Sequence, residues 1–333
     1  MAAARPQWLH AMGSYGVNAG VHFWRALRGY SLKMVRFTVL ASGSKGNSTV
    51  VTGGSTRILV DAGLSCREIF KRMEAAGEDP ATLDAIVITH EHDDHIRGVA
   101  VTARKLGIPV YFTEATHRAW VRQLTPQRTM TMAQWLAAQK QGTGYGVQGT
   151  GKTEADEAAE PKKGPAWLPS VEFFQAGCGF QIGDIAVSPF TIPHDAADPC
   201  GFVFQAEGVR MAVATDLGYM PPNVKAQLKN LDLLMIESNH DLEMLRDGPY
   251  PWSVKQRVLS RVGHLSNDAA SEFLEREYDG GAAYVILGHL SECNNLPELA
   301  RVTAERALSG RGTLLGNRLM LAAQDLGLEG IEF

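Results

Sequence analysis

The pattern of apolar runs predicts an α/β protein built as two β-sheets packed face to face, with helices on the outer sides. Short β-branched runs broken by glycine-rich turns follow Met34 directly. Helix-period segments are interleaved with these runs. A second strand-rich half begins near Val171 and closes in helix, which a single sheet does not explain.

The elements follow in order. "RFTVLASGSKGNSTVVTGGSTRILVDAG" reads as strand, small-residue loop, strand, Gly-Gly turn and strand. A helix is expected from about Ser65 to Ala76. "LDAIVITHEH" is a buried apolar strand running into a histidine cluster, and "GVAVTARKLG" is a helix leading into the strand "IPVYFT". Residues 139–166 hold six glycines, mixed charge and almost no large apolar side chain, so they read as a flexible insertion that cannot bury a core. Strands resume at "VEFFQAG", "GFQIGDIAVSPFTI", "CGFVFQAEG", "VRMAVATD" and "LDLLMIES". A helix is expected from Asp268 to Glu277, "AAYVILGHL" is a late strand, and the C-terminal part returns to helix.

Composition narrows the class. The 333 residues are 45% hydrophobic and 20% charged, with a net charge of −4, so no global positive field draws the chain to nucleic acid or to a membrane surface. No apolar run is long enough to span a bilayer. The four cysteines form no C-x-x-C pair, which fits a reducing cytoplasm. Residues 1–33 carry Arg5, Arg25, Arg28 and Lys33 with no acid and no secretory core, and are read as a poorly ordered extension before a domain at 34–333.

Chemistry concentrates in "THEHDDH", Thr89 to His95. A strand delivers His90, and a following loop lets His90, His92, Asp94 and His95 point into one space. Imidazole nitrogens with carboxylate oxygens suit divalent metals, and so many buried polar groups need a cation to neutralise them.

This motif, T-H-x-H-x-D-H, resembles the hallmark of the metallo-β-lactamase-fold hydrolases. Asp61 in "LVDAG", His194 in "TIPHDA", Asp216 in "VATDLG" and His289 in "ILGHLS" match that family's other motifs in order. The resemblance implies a four-layer αββα sandwich. It implies that His90, His92 and His194 hold one metal, that Asp94, His95 and His289 hold a second, and that Asp216 bridges them. Asp61 is similar to a residue that orients the histidine loop without ligating. A carboxylate at Asp216, where the best-known lactamases place cysteine, argues against lactam hydrolysis. Zinc or manganese fits the ligand set, and iron is admissible.

Within that family, "LASGSKGNST", "THEHDDHIRG", "ESNHD", "GHLSN" and "LGHLSECNN" resemble the YycJ/WalJ-like branch, whose members are similar to exonucleases acting from DNA 5′ ends. A phosphodiesterase acting on a DNA end is therefore the expected activity. A hydroxide shared by two ions about 3.5–4 Å apart would attack phosphorus, Asp94 would orient it, and His264 would protonate the leaving oxygen. A thioester or small-ester hydrolase similar to glyoxalase II would use the same centre, and a metal-holding module without turnover is a third reading. Ser42, Ser44 and Asn47 in the small-residue loop are candidates for gripping a phosphate, against an ordinary hairpin turn. His240 is a further candidate, against local loop bonding. Arg97 to Arg128 contains six basic residues and one acid, Glu114, and either lines a path for a phosphate backbone or is a solvated face.

Overall fold

The computed structural model describes residues 34–125, 164–310 and 317–333. The extension at 1–33, Arg128 and most of the 139–166 insertion lie outside the described residues. In the first half, β1 (Val35–Ala41), β2 (Ser48–Gly53) and β3 (Thr56–Val60) form an antiparallel meander. After it β4 (Ala85–Val87), β5 (Pro109–Phe112) and β6 (Ser170–Phe173) add in parallel. In the second half, β7 (Phe180–Ile182), β8 (Ile185–Thr191), β9 (Cys200–Ala206) and β10 (Val209–Ala214) are antiparallel. They are followed by the parallel strands β11 (Leu233–Glu237), β12 (Tyr284–Gly288) and β13 (Arg318–Leu321). Finally β14 (Ile331–Glu332) crosses back and pairs with β1, so the chain's end seals the edge of the first sheet.

Side-chain alternation explains the layering. Phe37, Val39, Ile58, Val60 and Val87 of the first sheet meet Phe202, Phe204, Val213, Leu233, Met235 and Ile286 of the second in one central core. The residues between them point the other way: Leu40, Val50, Leu59 and Ile86 pack under helices, as do Ala212, Leu234, Ile236 and Val285. Strands buried on both faces need helices on both outer sides. The first sheet is covered by α1 (Cys66–Ala75), α3 (Val99–Leu106) and α4 (Glu114–Leu124), through Ile69, Met73, Ala103 and Trp120. Between α1 and α3 lies the single-turn α2 (Asp93–Ile96). The second sheet is covered by α5 (Pro222–Gln227), α8 (Asn267–Arg276) and α9 (Pro297–Ser309), with the short α6 (Leu242–Asp247) and α7 (Trp252–Val258) between α5 and α8. The four-layer αββα expectation is met.

Local signals place several boundaries. Ser65 caps α1 by accepting from Glu68 N, and Ser266 caps α8 by accepting from Ala269 N. Gly107 ends α3 in the left-handed conformation at φ 71°. Three expectations are corrected. The chain after α9 does not stay helical but supplies β13 and β14. An additional helix, α4, follows β5. The ligand segment is not a plain loop, since Asp93–Ile96 is a helical turn entered from His92. None of the helices among the described residues is long and apolar enough to cross a membrane.

Candidate metal centre

The cluster forms where strands from both sheets end. Asp61 follows β3, His90 stands three residues past β4, His194 three past β8 and Asp216 two past β10. Glu237 closes β11, and His289 follows β12. This is the carboxyl end of the parallel strands, the side on which open α/β sheets bind ligands. Three of these residues have left-handed backbones although none is glycine: Asp61 at φ 58°, Asp216 at 62° and His289 at 54°. Such conformations cost of order 1–3 kcal/mol and persist where surrounding structure fixes them.

The structure brings the seven expected ligands together. Nitrogen and oxygen atoms of His90, His92 and His194 lie within 4.8 Å of one another, as do those of Asp94, His95 and His289, and those of His90, His95 and Asp216. Asp216 reaches both sides: Oδ2 is 3.4 Å from His95 Nε2, and Oδ1 is 3.9 Å from His194 Nε2 and 3.3 Å from His289 Nδ1. Asp94 Oδ2 lies 3.6 Å from the Nε2 atoms of both His95 and His289.

Hydrogen bonds behind the rings fix which nitrogen faces inward. His194 Nδ1 donates to the Gly263 carbonyl at 3.1 Å, His95 Nδ1 to Asp61 at 2.7 Å, and His289 Nδ1 to Glu237 at 2.9 Å. Thr89 Oγ1 donates to Asp61 and so accepts from His90 Nδ1 at 3.0 Å. Each of these four rings therefore turns its Nε2 into the cluster, as a lone pair where the ring is neutral. His90 Nε2 and His194 Nε2 then sit 3.1 and 3.2 Å from His92 Nδ1. One proton on His92 can satisfy only one of the two, which leaves lone pair against lone pair. Buried Asp216 Oδ2 and His289 Nε2 have no hydrogen-bond partner. Uncompensated acceptors of this kind are what divalent cations satisfy, so the residues fit such ions.

Without a cation the surrounding carboxylates favour a proton on two of these rings, which an ion bound there would displace. Burial, reinforced by the neighbouring imidazoles, pushes His90 well below the usual range and keeps it neutral. For His95 burial acts downward but is outweighed by Asp61, Asp216 and Asp94, which raise it to about 9. His289 is raised well above its ordinary value against burial, by Asp216, Asp94 and Glu237. Burial acts to raise the Asp94 carboxyl, yet His95 and His289 hold it well below the usual range.

The other expected residues divide. His264 joins the cluster, its ring 5.2 Å from that of His194 and 5.1 Å from that of His289, with its side chain 20% exposed. Its Nδ1 donates to Glu237 at 2.8 Å. Ser42 and Asn47 have tasks other than gripping a phosphate. Buried Ser42 accepts from the His289 backbone N–H at 2.8 Å, and buried Asn47 donates to Asp94 at 3.2 Å and lies 3.0 Å from His95 Nε2. Ser44 alone of the three is exposed. His240 is buried behind the cluster on the loop paired with Ser266, and neither ring nitrogen has a partner. Of the basic stretch, Arg97 follows α2, Arg104 and Lys105 lie on α3, and Arg118 and Arg122 on α4; Arg97 pairs with Asp93 and Arg118 with Glu114. Glu237 escaped sequence reasoning as a site residue. It is fully buried and holds both His264 and His289.

A two-sheet αββα scaffold with histidine and carboxylate triads facing each other across a shared aspartate defines the class as a metallohydrolase-type protein. The chain belongs to the beta-lactamase superfamily, whose domain matches residues 56–290, and within it to the branch of the WalJ and YycJ proteins. It is 35% identical over 274 residues to exodeoxyribonuclease WalJ of Streptococcus pneumoniae, covering 82% of this chain and 88% of that one. Exodeoxyribonuclease YycJ of Bacillus anthracis is 34% identical over 285 residues, covering 85% and 92%. Among solved structures, the metallo-beta-lactamase fold protein YhfI of Bacillus subtilis superposes with a TM-score of 0.58 at 15% identity, over 90% of this chain and all of that one.

Proposed function

We propose that this protein is a metal-dependent phosphodiesterase that degrades DNA from an end. The observation that carries the reading is the pair of triads, His90/His92/His194 and Asp94/His95/His289, the potential ligand atoms of each within 4.8 Å of one another, with Asp216 reaching towards both. Each triad would hold one divalent ion, zinc or manganese, with Asp216 shared and Asp61 steering His95. Such ions acidify water to a pKa near 7 and neutralise charge on a phosphoryl oxygen. The DNA end as substrate is supported by relatives named exodeoxyribonucleases that match over 88% and 92% of their own lengths.

The chain's own groups divide the remaining work. Asp94, whose Oδ2 faces the two Nε2 atoms at 3.6 Å, is placed to accept and orient a proton of the attacking water. Glu237 orients the His264 ring by accepting from Nδ1, and a ring that also carries a proton on Nε2 could give it to the leaving oxygen. The catalytic domain in this reading runs from 34 to 333, with 1–33 as an extension and 139–166 as an insertion. Four unpaired cysteines favour the cytoplasm as its working place.

The test compares a 5′-labelled duplex, bis-p-nitrophenyl phosphate and a glutathione thioester, each with zinc and with manganese. Shortening of the labelled DNA is expected, with His264→Ala keeping its metal but slowing turnover by roughly 10²–10⁴-fold and Asp94→Ala losing metal and activity together. Turnover of the thioester alone would overturn the proposal.

A further inference from the structure

The Arg261 guanidinium carbon lies over the Tyr219 ring, 4.2 Å from its centre, and among the described residues Arg261 forms no ion pair with a carboxylate. Its neighbour Arg257 is committed to Asp195. The two differ in availability although both border the cluster.

The segment from α7 to His264 forms a wall of the metal centre. The Val258 carbonyl accepts from the His264 N–H at 3.0 Å, and the Val262 carbonyl accepts from Asp195 N–H at 3.1 Å, next to His194. The turn after Asp216 runs directly against this wall: a Cβ on Gly218 would come within 2.2 Å of the Arg261 carbonyl oxygen. Tyr219 and Arg261 therefore stand together at the rim, each three residues from a member of the cluster. Between Asp247 and Asp268 the chain carries Lys255, Arg257 and Arg261 and no acid, although the whole chain is at −4. The same segment exposes large apolar side chains, with Trp252 65% exposed, Leu259 50% and Val262 43%. Trp252 opens α7, six residues before Val258, which is about 9 Å along a helix axis at 1.5 Å per residue. Lys255 is buried and donates to the Arg246 carbonyl, so Arg261 is the cation left available, and a polyanion with flat apolar faces is the ligand that matches it beside an uncovered aromatic ring.

We propose that this rim seats the single-stranded end of a DNA, with Arg261, braced on Tyr219, gripping a phosphate and Trp252 stacking a base one step out. The inference rests on the DNA-end reading of the cluster and adds the surface that would present the strand to it. No base-reading element is involved, so binding should be indifferent to sequence.

The experiment measures binding of a short fluorescein-labelled single-stranded oligodeoxynucleotide to the full chain by anisotropy, in chelator to prevent cleavage, across a salt series. Both positions are exposed, so Arg261→Ala and Trp252→Ala should leave the thermal midpoint in place. Arg261→Ala should weaken binding about 10-fold and lower the slope of log affinity against log salt by about one. Trp252→Ala should weaken it by about 5- to 10-fold without changing that slope. Arg261→Lys should restore the slope but not the full affinity, because a lysine keeps the charge and loses the planar stack. With metal restored, KM for DNA should rise in step while kcat holds. Wild-type protein that cleaves DNA, with both variants binding as tightly as it does, would overturn this inference alone. Wild-type protein that neither binds nor cleaves DNA would overturn the functional reading as well.

Discussion

A carboxylate with no exposed surface must meet donors or a cation, and Glu237 meets four donors. It accepts from the backbone N–H groups of Leu217 at 2.6 Å and Leu265 at 3.2 Å, and from the Nδ1 atoms of His264 and His289. One residue thereby ties the turn after Asp216 to both histidine loops. The signal for it was present in "LLMIES", where an acid closes a strand of wholly apolar residues. Nothing in the local sequence names its partners, which come from 20 to 52 positions away. His240 is the opposite case, a buried ring whose nitrogens find no partner. Burial pushes its pKa down to about 4, below the ordinary 6.5. The unfolded chain therefore binds a proton that the folded chain refuses, so stability from this residue is complete above pH 6.5 and declines as the pH falls from 6.5 to 4. The full difference is about 3 kcal/mol at 1.36 kcal/mol per unit. Urea unfolding at several pH values should show His240→Gln losing less stability than wild type across that window. Parallel curves would contradict this account.

At the scale of elements, the site depends on how strands end. β3, β10 and β12 each run into a left-handed non-glycine residue, and these kinks bring Asp216 and His289 into the cluster and Asp61 behind the His95 ring. Close backbone contact holds the kinks in place. Gly63, two residues past Asp61, leaves no room for a side chain: a Cβ there would lie 1.6 Å from the Asp94 carbonyl oxygen and 2.7 Å from Asn47 N. Gly63→Ala should therefore push α2 away from β3, lowering metal affinity at least 10-fold and the thermal midpoint by several degrees. Zinc titration with a competing chelator, beside a melting curve, measures both. Unchanged affinity would mean that Asp94 and His95 are not positioned through this contact. The legible elements were those with strong period, such as β1 to β3 and β8 to β12, together with the His and Asp motifs at their ends, which the fold brings together. Apart from α4, whose eleven residues were also missed, the missed ones were short. β13 has four residues and β14 two, and β14 exists only because it finds the edge of β1. The small-residue loop suggested a phosphate grip because composition reveals which donors are present but not where they point. Ser42 and Asn47 point back at His289 and at the ligand loop, a direction set by contacts across the fold.

For the whole molecule, the centre sits on the seam between two sheets. His90, His92, Asp94 and His95 come from the first half of the chain, and His194, Asp216 and His289 from the second. Between the sheets lies one shared core, with Phe37, Val60 and Val87 meeting Phe202, Phe204 and Met235, so the halves should unfold together in a single transition. An ion that takes ligands from both halves binds the folded chain and not the separated sheets. It should therefore stabilise the assembly by mass action, by about 2.7 kcal/mol at a metal concentration 100 times Kd. At about 2.1 cal/mol/K of unfolding entropy per residue, a domain of about 300 residues shifts by roughly 1.6 °C per kcal/mol, so zinc or manganese should raise the midpoint by roughly 4 °C over chelator-treated protein. His92→Ala removes the nitrogen that His90 and His194 both face, and His289→Ala removes a candidate ligand supplied by the opposite sheet. Each substitution should cut most of that shift although the two sit in different halves. Differential scanning calorimetry with and without chelator decides the matter. A midpoint indifferent to metal, or a shift that survives both substitutions, would mean that the triads do not act as one centre joining the two sheets.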